Sequence, residues 1–205
     1  MPSTQITSYP PVGLILAGGA GTRIGGNKAN VALHGEPLLH YVLASMREVL
    51  RDVAVIAKPH TVLPALEGAM VWVEPELPAH PLLGVTEALS LAGGRPVLAC
   101  PLDMPFITPA LLGALATVKS QGRAAVLASC AGVVQPLLGR YMPASAPLLA
   151  DAIERRLPPE EAVSALDPRL VEVEHELELF EVNTPDDLLL AAGMLDGLGP
   201  APGEP

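Results

Sequence analysis

The chain has 205 residues, of which 50% are hydrophobic and 17% charged, enough apolar material for one generous domain with a buried core. Twelve basic and 22 acidic residues give a formal net charge of −10, and such a field repels duplex DNA and anionic lipid. No apolar run reaches the roughly 18 residues that cross a bilayer, and no signal-peptide pattern opens the chain. We therefore expect a cytoplasmic protein that binds neither nucleic acid nor membrane.

Short apolar segments alternate with longer helical patterns along the chain. Strands are predicted at residues 12–17, 53–57, 69–73, 96–100 and 124–129, and helices at 37–50 and 82–91. Two further helices are predicted to begin at Thr108-Pro109 and Thr184-Pro185, where a capping hydroxyl precedes proline. Because the predicted strands are almost entirely apolar, both faces of their sheet should be covered. The alternation predicts an α/β fold, a Rossmann-like three-layer α/β/α sandwich around a mostly parallel sheet.

The predicted domain covers residues 12–196, between a flexible arm at 1–11 and a disordered, Gly- and Pro-rich tail at 197–205. The stretch 132–169 is less regular, and we expect it to form a lobe inserted over the sheet. Alternating acidic residues are expected on the solvated face of a strand; they are Glu172, Glu174, Glu176 and Glu178.

The first predicted strand runs into LILAGGAGTRIGGNK, from Leu14 to Lys28, which contains five glycines. Glycines allow successive backbone N–H groups to approach and surround an anion. Arg23 offers a planar set of donors for phosphate oxygens, and Lys28 offers a mobile positive charge. The segment matches neither the Walker A motif, because Asn27 stands in place of its lysine, nor the strict Rossmann fingerprint. The segment predicts a site for a phosphorylated ligand. The alternative is a tight strand-to-helix connection in which the glycines only allow the chain to turn.

Asp103 follows the apolar run at 96–100 and should lie at the carboxyl end of a parallel strand, where open α/β sheets bind their ligands. Mg²⁺ in such sites uses one or two carboxylates together with substrate phosphates. Asp103 is therefore a candidate metal ligand, and a turn or helix-capping role is the alternative.

The pattern LAGGxxxRxGGxxK resembles the signature of the molybdenum cofactor guanylyltransferases and, more broadly, that of the pyrophosphorylases that make sugar nucleotides. Four further segments resemble motifs of the same family in the same order. They are HGEPLLHYVL from His34, PLLGVTEAL from Pro81, CPLDMPFITPALL from Cys100 and FEVNTPDDL from Phe180.

This resemblance implies the fold of the nucleotide-diphospho-sugar transferases and the transfer of GMP from GTP to the terminal phosphate of molybdopterin, with release of pyrophosphate. It implies a nucleotide-binding half at 12–131, an acceptor-side half at 132–196, and Mg²⁺ held by Asp103, with Asn183 as a second candidate ligand. The catalytic residues it implies are Arg23, Lys28 and Asp103. Nucleotide binding is assigned to Leu16, Ala17, Gly18, Gly19, Gly21, Arg23, Lys28, Glu74 and Asp103, and acceptor binding to Gln135 and Asn183.

The sequence departs from the family pattern at positions that contact the base and the acceptor. Asn27 stands where the family often has aspartate, Ile56 where it has a guanine-contacting asparagine (with Lys58 nearby as a substitute), and Glu181 where it has asparagine. A cytidylyltransferase, a transferase for another phosphate acceptor and a non-catalytic nucleotide-binding regulator therefore stay open as alternatives. The family also implies molybdoenzymes or cofactor-insertion factors as receivers of the product, and we expect a monomer or weak homo-oligomer.

Overall fold

The computed structural model describes residues 9–19, 24 and 26–198. The strands in these ranges are β1 Val12–Leu16, β2 Ala32–Leu33, β3 Glu36–Pro37, β4 Val53–Ala57, β5 Met70–Val73, β6 Val97–Pro101, β7 Ala125–Cys130, β8 Val133–Tyr141 and β9 Arg169–Glu172. The α-helices are α1 Leu38–Val49, α2 Leu83–Leu91, α3 Pro109–Thr117, α4 Ala146–Glu154, α5 Pro159–Ser164 and α6 Pro185–Leu198.

Seven strands form one sheet in the order β5-β4-β1-β6-β8-β7-β9, and β2 pairs with β3 in a separate hairpin. Only β8 runs antiparallel to its neighbours in this sheet. From β1 the chain moves outward to β4 and β5 and then returns to β6 on the other side of β1. Such a reversal opens a crevice at the carboxyl ends of the strands, which is where α/β sheets bind ligands. The predicted α/β fold with a mostly parallel sheet is confirmed.

Helices cover both faces of the sheet. On one face, buried residues of α1, α3 and α6 form a core with the side chains of alternate strand residues, among them Ile15. On the other face, α2, α4 and α5 pack against the intervening strand residues, among them Leu14. Burial on both sides explains why the strands contain nearly continuous apolar residues. No helix in the described ranges is long and apolar enough to cross a membrane.

The stretch 132–169 does not form a lobe over the sheet, so this prediction was wrong. Its first part is β8, which lies inside the sheet between β6 and β7, and its second part supplies α4 and α5 to one face. The sequence does not indicate this strand because it contains Pro136. Proline has no N–H group to donate to a neighbouring strand, so it is unusual inside a sheet. The pairing of β7 with β8 is interrupted here, since Leu127 pairs with Gly139 but Ser129 pairs with Val134. The hydroxyl of Tyr141 donates to the carbonyl of Pro136 inside this bulge.

The prediction for the alternating acids near the carboxyl end was also wrong. The alternating acids do not share one strand face, because β9 ends at Glu172 and a 3₁₀ helix covers Glu176–Leu179. Glu178 is buried, with 7% of its surface exposed, and accepts a hydrogen bond from the hydroxyl of Thr108. α6 ends at Leu198, inside the stretch that was predicted to be a tail. Most of the predicted arm (1–8) and the rest of the tail (199–205) lie outside the described residues.

The register of β7 and β8 can be tested at Gly139. A Cβ atom at this position would lie 2.8 Å from the Cα of Leu127 and would also collide with the carbonyl of Val126. We expect Gly139→Ala to lower the free energy of unfolding by about 1–3 kcal/mol, because backbone atoms cannot move aside without disturbing the ladder. Urea denaturation measures this change.

Gly113→Ala is the matched control, since a Cβ at Gly113 in α3 would have no heavy atom within 4 Å. Alanine is favoured over glycine inside a helix by roughly 0.5–1 kcal/mol, so this variant should be as stable as the parent or more so. A Gly139→Ala variant with parental stability would contradict the observed pairing.

Candidate active site

A cleft of about 630 Å³ lies at the carboxyl ends of β1, β4, β5 and β6. It brings together residues that follow four different strands. The sequence-predicted site residues that line it are Leu16, Ala17, Gly18, Gly19, Lys28, Glu74 and Asp103. Gly21 and Arg23, which the sequence also predicts for this site, lie outside the described residues.

The end of β1 is tied to both neighbouring strands. The Ala17 N–H donates to the Ile56 carbonyl at 2.8 Å, and the Leu102 N–H donates to the Leu16 carbonyl at 3.3 Å. Directly after this point the chain passes so close to Glu74 that a Cβ at Gly18 would overlap a carboxylate oxygen. A larger residue at position 18 would therefore require the Glu74 side chain to move.

Lys28 joins residues from distant parts of the chain. It opens the 3₁₀ helix Lys28–Asn30, and Asn27 before it has a left-handed backbone with φ of 30°. The Lys28 ammonium donates to Asp103 Oδ2 and, at 2.7 Å, to Asn183 Oδ1. Only 11% of the Lys28 side chain and 13% of the Asp103 side chain are exposed. The predicted catalytic lysine and metal-ligand aspartate thus form a nearly buried ion pair, in which opposite charges attract more strongly than in water.

The second oxygen of Asp103 differs from the first, because it has no partner among the described residues. Asp103 Oδ1 is buried, and none of the described residues forms a hydrogen bond with it. A buried carboxylate oxygen without a partner is costly, so a cation or donor is expected there when the site is filled. The described residues contain no group of three His, Cys, Asp or Glu side chains that could hold a metal by itself. One open carboxylate oxygen beside the glycine loop nevertheless fits Mg²⁺, which completes its shell with water and substrate phosphates.

Asn183 is held in place by the residues around it. Its Nδ2 donates to Glu181 Oε2 at 2.9 Å, and the neighbouring Val182 N–H donates to the backbone carbonyl of Asp103 at 2.9 Å. The side-chain oxygen that could bind a metal or an acceptor already accepts from Lys28. Any contact of Asn183 with a metal through this oxygen therefore competes with the lysine.

Asp187 supports Asn183 from the first turn of α6. Asp187 Oδ2 accepts from the N–H groups of Asn183 and Thr184, at 2.9 and 2.8 Å, and Thr184 Oγ1 accepts in return from the Asp187 N–H. The hydrogen bond from the Asn183 N–H is the main reason that the pKa of Asp187 lies below its ordinary value, and the Thr184 hydroxyl lowers it further. The sequence predicts a capping hydroxyl at Thr184, and the Thr-x-x-Asp spacing is the capping-box signal that indicates this role of Asp187.

Lys58 and Glu74 form a second ion pair in the cleft. Lys58 is the first residue after β4 and Glu74 the first after β5, with 3.3 Å between Lys58 Nζ and Glu74 Oε1. Burial raises the pKa of Glu74, and the charge of Lys58 partly offsets that rise. Ile56 is fully buried within β4, so it is Lys58 that presents a polar group to the cleft after this strand.

Gln135 is half-buried in β8 and is not among the residues that line the cleft. Leu137, two residues further along the bulged part of β8, lines it instead. Acceptor binding by Gln135 stays a prediction.

A mostly parallel α/β sheet with a glycine loop after its first strand, and a Lys–Asp pair in the adjoining cleft, defines the class of the nucleotidyltransferases. The model of the MobA-like NTP transferase domain matches residues 13–176, and the chain belongs to this family.

Relatives in sequence cover nearly the whole chain. A probable molybdenum cofactor guanylyltransferase from Chloroflexus aggregans is 35% identical over 199 residues, covering 89% of this chain and 94% of the relative. The molybdenum cofactor guanylyltransferase of Pseudomonas entomophila is 30% identical over 181 residues, covering 86% and 95%. Nucleotidyltransferases of this kind generally use a divalent metal ion.

Solved structures share the fold. The molybdopterin-guanine dinucleotide biosynthesis protein A of Archaeoglobus fulgidus superposes with a TM-score of 0.71 at 22% identity, over 91% of this chain and 99% of that one. The 2-C-methyl-D-erythritol 4-phosphate cytidylyltransferase of Thermus thermophilus has a TM-score of 0.68 at 23% identity, over 92% and 100%. At these identities the likeness establishes the nucleotidyltransferase fold.

The capping role of Asp187 predicts a pH-dependent loss of stability. Because its pKa is lowered in the folded state, its carboxylate stabilises the fold above the unfolded-state pKa, and that contribution is lost as the pH falls through the folded-state pKa. We expect Asp187→Ala to unfold at lower temperature than the parent at pH 7, and this difference to shrink as the pH is lowered below 4. Thermal unfolding followed across this pH range measures both effects.

Asp186→Ala removes an exposed acid from the same helical turn and serves as control. It should have a smaller effect at pH 7 because no hydrogen bond to the Asp186 side chain is present in the described part of the chain. A difference for Asp187→Ala that stays constant from pH 7 to pH 2 would contradict the capping role.

Proposed function

We propose that the protein transfers GMP from GTP to the terminal phosphate of molybdopterin, which yields molybdopterin guanine dinucleotide and pyrophosphate. The observation that carries this proposal is the open, buried Asp103 Oδ1 beside Lys28 in the cleft next to the glycine loop. The relatives named molybdenum cofactor guanylyltransferase support it, since they match this chain over most of its length. Such a reaction would take place in the cytoplasm.

The proposal assigns the triphosphate to the loop after β1. Gly18 and Gly19 line the cleft there. Their backbone N–H groups and Arg23 are proposed to bind phosphate oxygens together. Asp103 Oδ1 would hold Mg²⁺, which when bound supplies positive charge to the phosphate oxygens as a Lewis acid. Lys28 would leave its contact with Asp103 Oδ2 far enough to neutralise charge on the pyrophosphate as that group departs.

The chemical step is an in-line displacement at the α-phosphorus of GTP. An oxygen of the acceptor phosphate forms the new bond to phosphorus, and the bond to the bridging oxygen breaks, so that pyrophosphate leaves with the electron pair. The second pKa of a phosphate monoester is about 6, so the attacking oxygen is already anionic at neutral pH and no general base is required. Catalysis then consists of positioning and electrostatic stabilisation. Asn183 and Gln135 are the proposed acceptor contacts.

Asp103→Ala should abolish most of the activity. With GTP, molybdopterin and Mg²⁺ present, we expect pyrophosphate release to fall by about 10²–10³-fold or more, the loss typical of removing one preorganised electrostatic group. Asp151→Ala, which replaces an exposed aspartate on α4, should keep the parental rate. An Asp103→Ala variant that turns over normally would remove Asp103 from the mechanism.

The same assay separates the alternatives for the parent protein. A clear preference for CTP would replace the proposal with a cytidylyltransferase, and turnover only with a different phosphorylated acceptor would replace molybdopterin. If a triphosphate binds but pyrophosphate is released under none of these conditions, the protein is a non-catalytic nucleotide-binding protein.

A further inference from the structure

The segment before α6 lies along the loop that carries Asp103. We call residues 178–183 the strap, and the loop is residues 103–108, between β6 and α3. The strap ends at Asn183, whose side-chain oxygen accepts a hydrogen bond from the Lys28 ammonium. The strap therefore contacts both members of the Lys28–Asp103 pair, the lysine through Asn183 and the aspartate through the loop.

The strap holds the beginning and the middle of this loop. The Val182 N–H donates to the backbone carbonyl of Asp103 at 2.9 Å. Two residues earlier in the strap, the ring of Phe180 packs edge to face against the ring of Phe106, with 5.9 Å between the ring centroids. Val182 is fully buried, so water does not compete for its contact with the loop. The backbone that carries the Asp103 carboxylate is thus fixed against the strap.

Glu178 holds the last residue of the loop. It is nearly buried, and one of its carboxylate oxygens accepts from the hydroxyl of Thr108. The same hydroxyl accepts from the Leu111 N–H at 3.2 Å and so caps α3. A hydroxyl has a single proton to donate and two lone pairs that accept. When Glu178 takes that proton, the lone pairs are left for the helix, and the end of the loop and the start of α3 are fixed together.

We infer that Glu178 is a positioning residue for the metal-binding carboxylate: through the Thr108 hydroxyl it keeps the loop against the strap, which holds Asp103 in place beside Lys28. Glu178 itself touches neither the metal nor the nucleotide. Groups that orient the ligands of a metal typically contribute about 10- to 100-fold to metal affinity or activity. The inference rests on the proposed function, which assigns Mg²⁺ to Asp103 Oδ1, and deepens it by naming a residue that keeps this ligand in position.

A purely structural role is the competing explanation, since Glu178 also supports the cap of α3. Loss of a cap lowers the stability of a protein, but it leaves the metal site of the molecules that stay folded unchanged. The two explanations therefore differ in metal-dependent nucleotide binding, measured well below the unfolding temperature. A third explanation, in which Glu178 acts through its negative charge alone, is separated by variants that keep either the charge or the length of the side chain.

Glu178→Asp and Glu178→Gln test the inference. Aspartate keeps the charge but is shorter by one methylene group, so its carboxylate withdraws from Thr108, whereas glutamine keeps both the length and an acceptor oxygen. With Mn²⁺ in place of Mg²⁺, water proton relaxation measures the affinity of the protein for the Mn²⁺–GTP complex. We expect this affinity to fall about 10- to 100-fold in Glu178→Asp and to stay close to the parental value in Glu178→Gln. Calorimetric titration with GTP in EDTA should give the same affinity for the parent and both variants, because the proposal assigns Asp103 to the metal.

A double-mutant cycle tests whether Glu178 acts through Thr108. Thr108→Val removes the hydroxyl, so adding Glu178→Asp to it should cause little further loss of affinity for Mn²⁺–GTP, since two residues that act through one contact are not additive. Thr108→Ser keeps the hydroxyl and should bind the complex like the parent.

Glu176→Asp is the matched control, because Glu176 is exposed on the same 3₁₀ helix as Glu178, and it should bind Mn²⁺–GTP like the parent. Gly139→Ala controls for lost stability, since Gly139 lies within β8 between β6 and β7. It should unfold more easily than the parent and yet keep the parental affinity for the complex.

Parental affinity in Glu178→Asp, or equal losses in Glu178→Asp and Glu178→Gln, would overturn the inference. A full further loss from Glu178→Asp in the Thr108→Val background would also overturn it. A parent protein that binds no Mn²⁺ complex of any nucleoside triphosphate would instead overturn the proposed function. Hydrogen exchange of the Val182 amide then still tests the strap: Glu178→Asp should accelerate it and Glu178→Gln should not, and unchanged exchange in Glu178→Asp would overturn the inference.

Discussion

The parallel pairing of β1 with both β4 and β6 is the constraint on which the cleft depends. It brings the carboxyl ends of the strands to one edge, where the hydrogen bonds from Ala17 to Ile56 and from Leu102 to Leu16 hold three strand ends level. The loops that follow these strands must then leave the sheet side by side. Backbone pairing between the strands thereby sets the distance between the charged side chains that follow them in the cleft.

Two ion pairs place lysine side chains in the cleft of a protein whose net charge is −10. Lys28 with Asp103 and Lys58 with Glu74 stand at opposite ends of the same cleft, and each pair is nearly buried. In each pair lysine lies against one carboxylate oxygen, and Asp103 Oδ1 has no hydrogen-bond partner among the residues that the structure describes. The groups that line a cleft decide locally whether an anion can bind there, and the net charge of the whole molecule does not by itself exclude it.

Support for the Lys28–Asp103 pair comes from the start of α6. Asp187 binds the backbone of Asn183 and Thr184, and Asn183 in turn accepts from Lys28. The helix start thus positions a lysine that lies 155 residues away in the sequence. A surrounding shell of this kind is what holds reacting groups within the narrow geometry that catalysis requires.

Local patterns in the sequence determined the strand–helix alternation, the glycine loop, the cap at Thr108 and the placement of Asp103 after an apolar strand. Each of these features depends on residues that are close together in the sequence. The periodicity of apolar residues and the presence of capping residues therefore predict them. Only the tertiary structure decided that β8 enters the sheet, because Pro136 and the bulge interrupt the pattern that marks a strand. It also decided that Lys28 contacts Asn183 and that Lys58 pairs with Glu74 in the cleft, which Ile56 lines as well. Such contacts join the ends of separate strands, and the order of strands in a sheet is set by long-range pairing that no local pattern encodes.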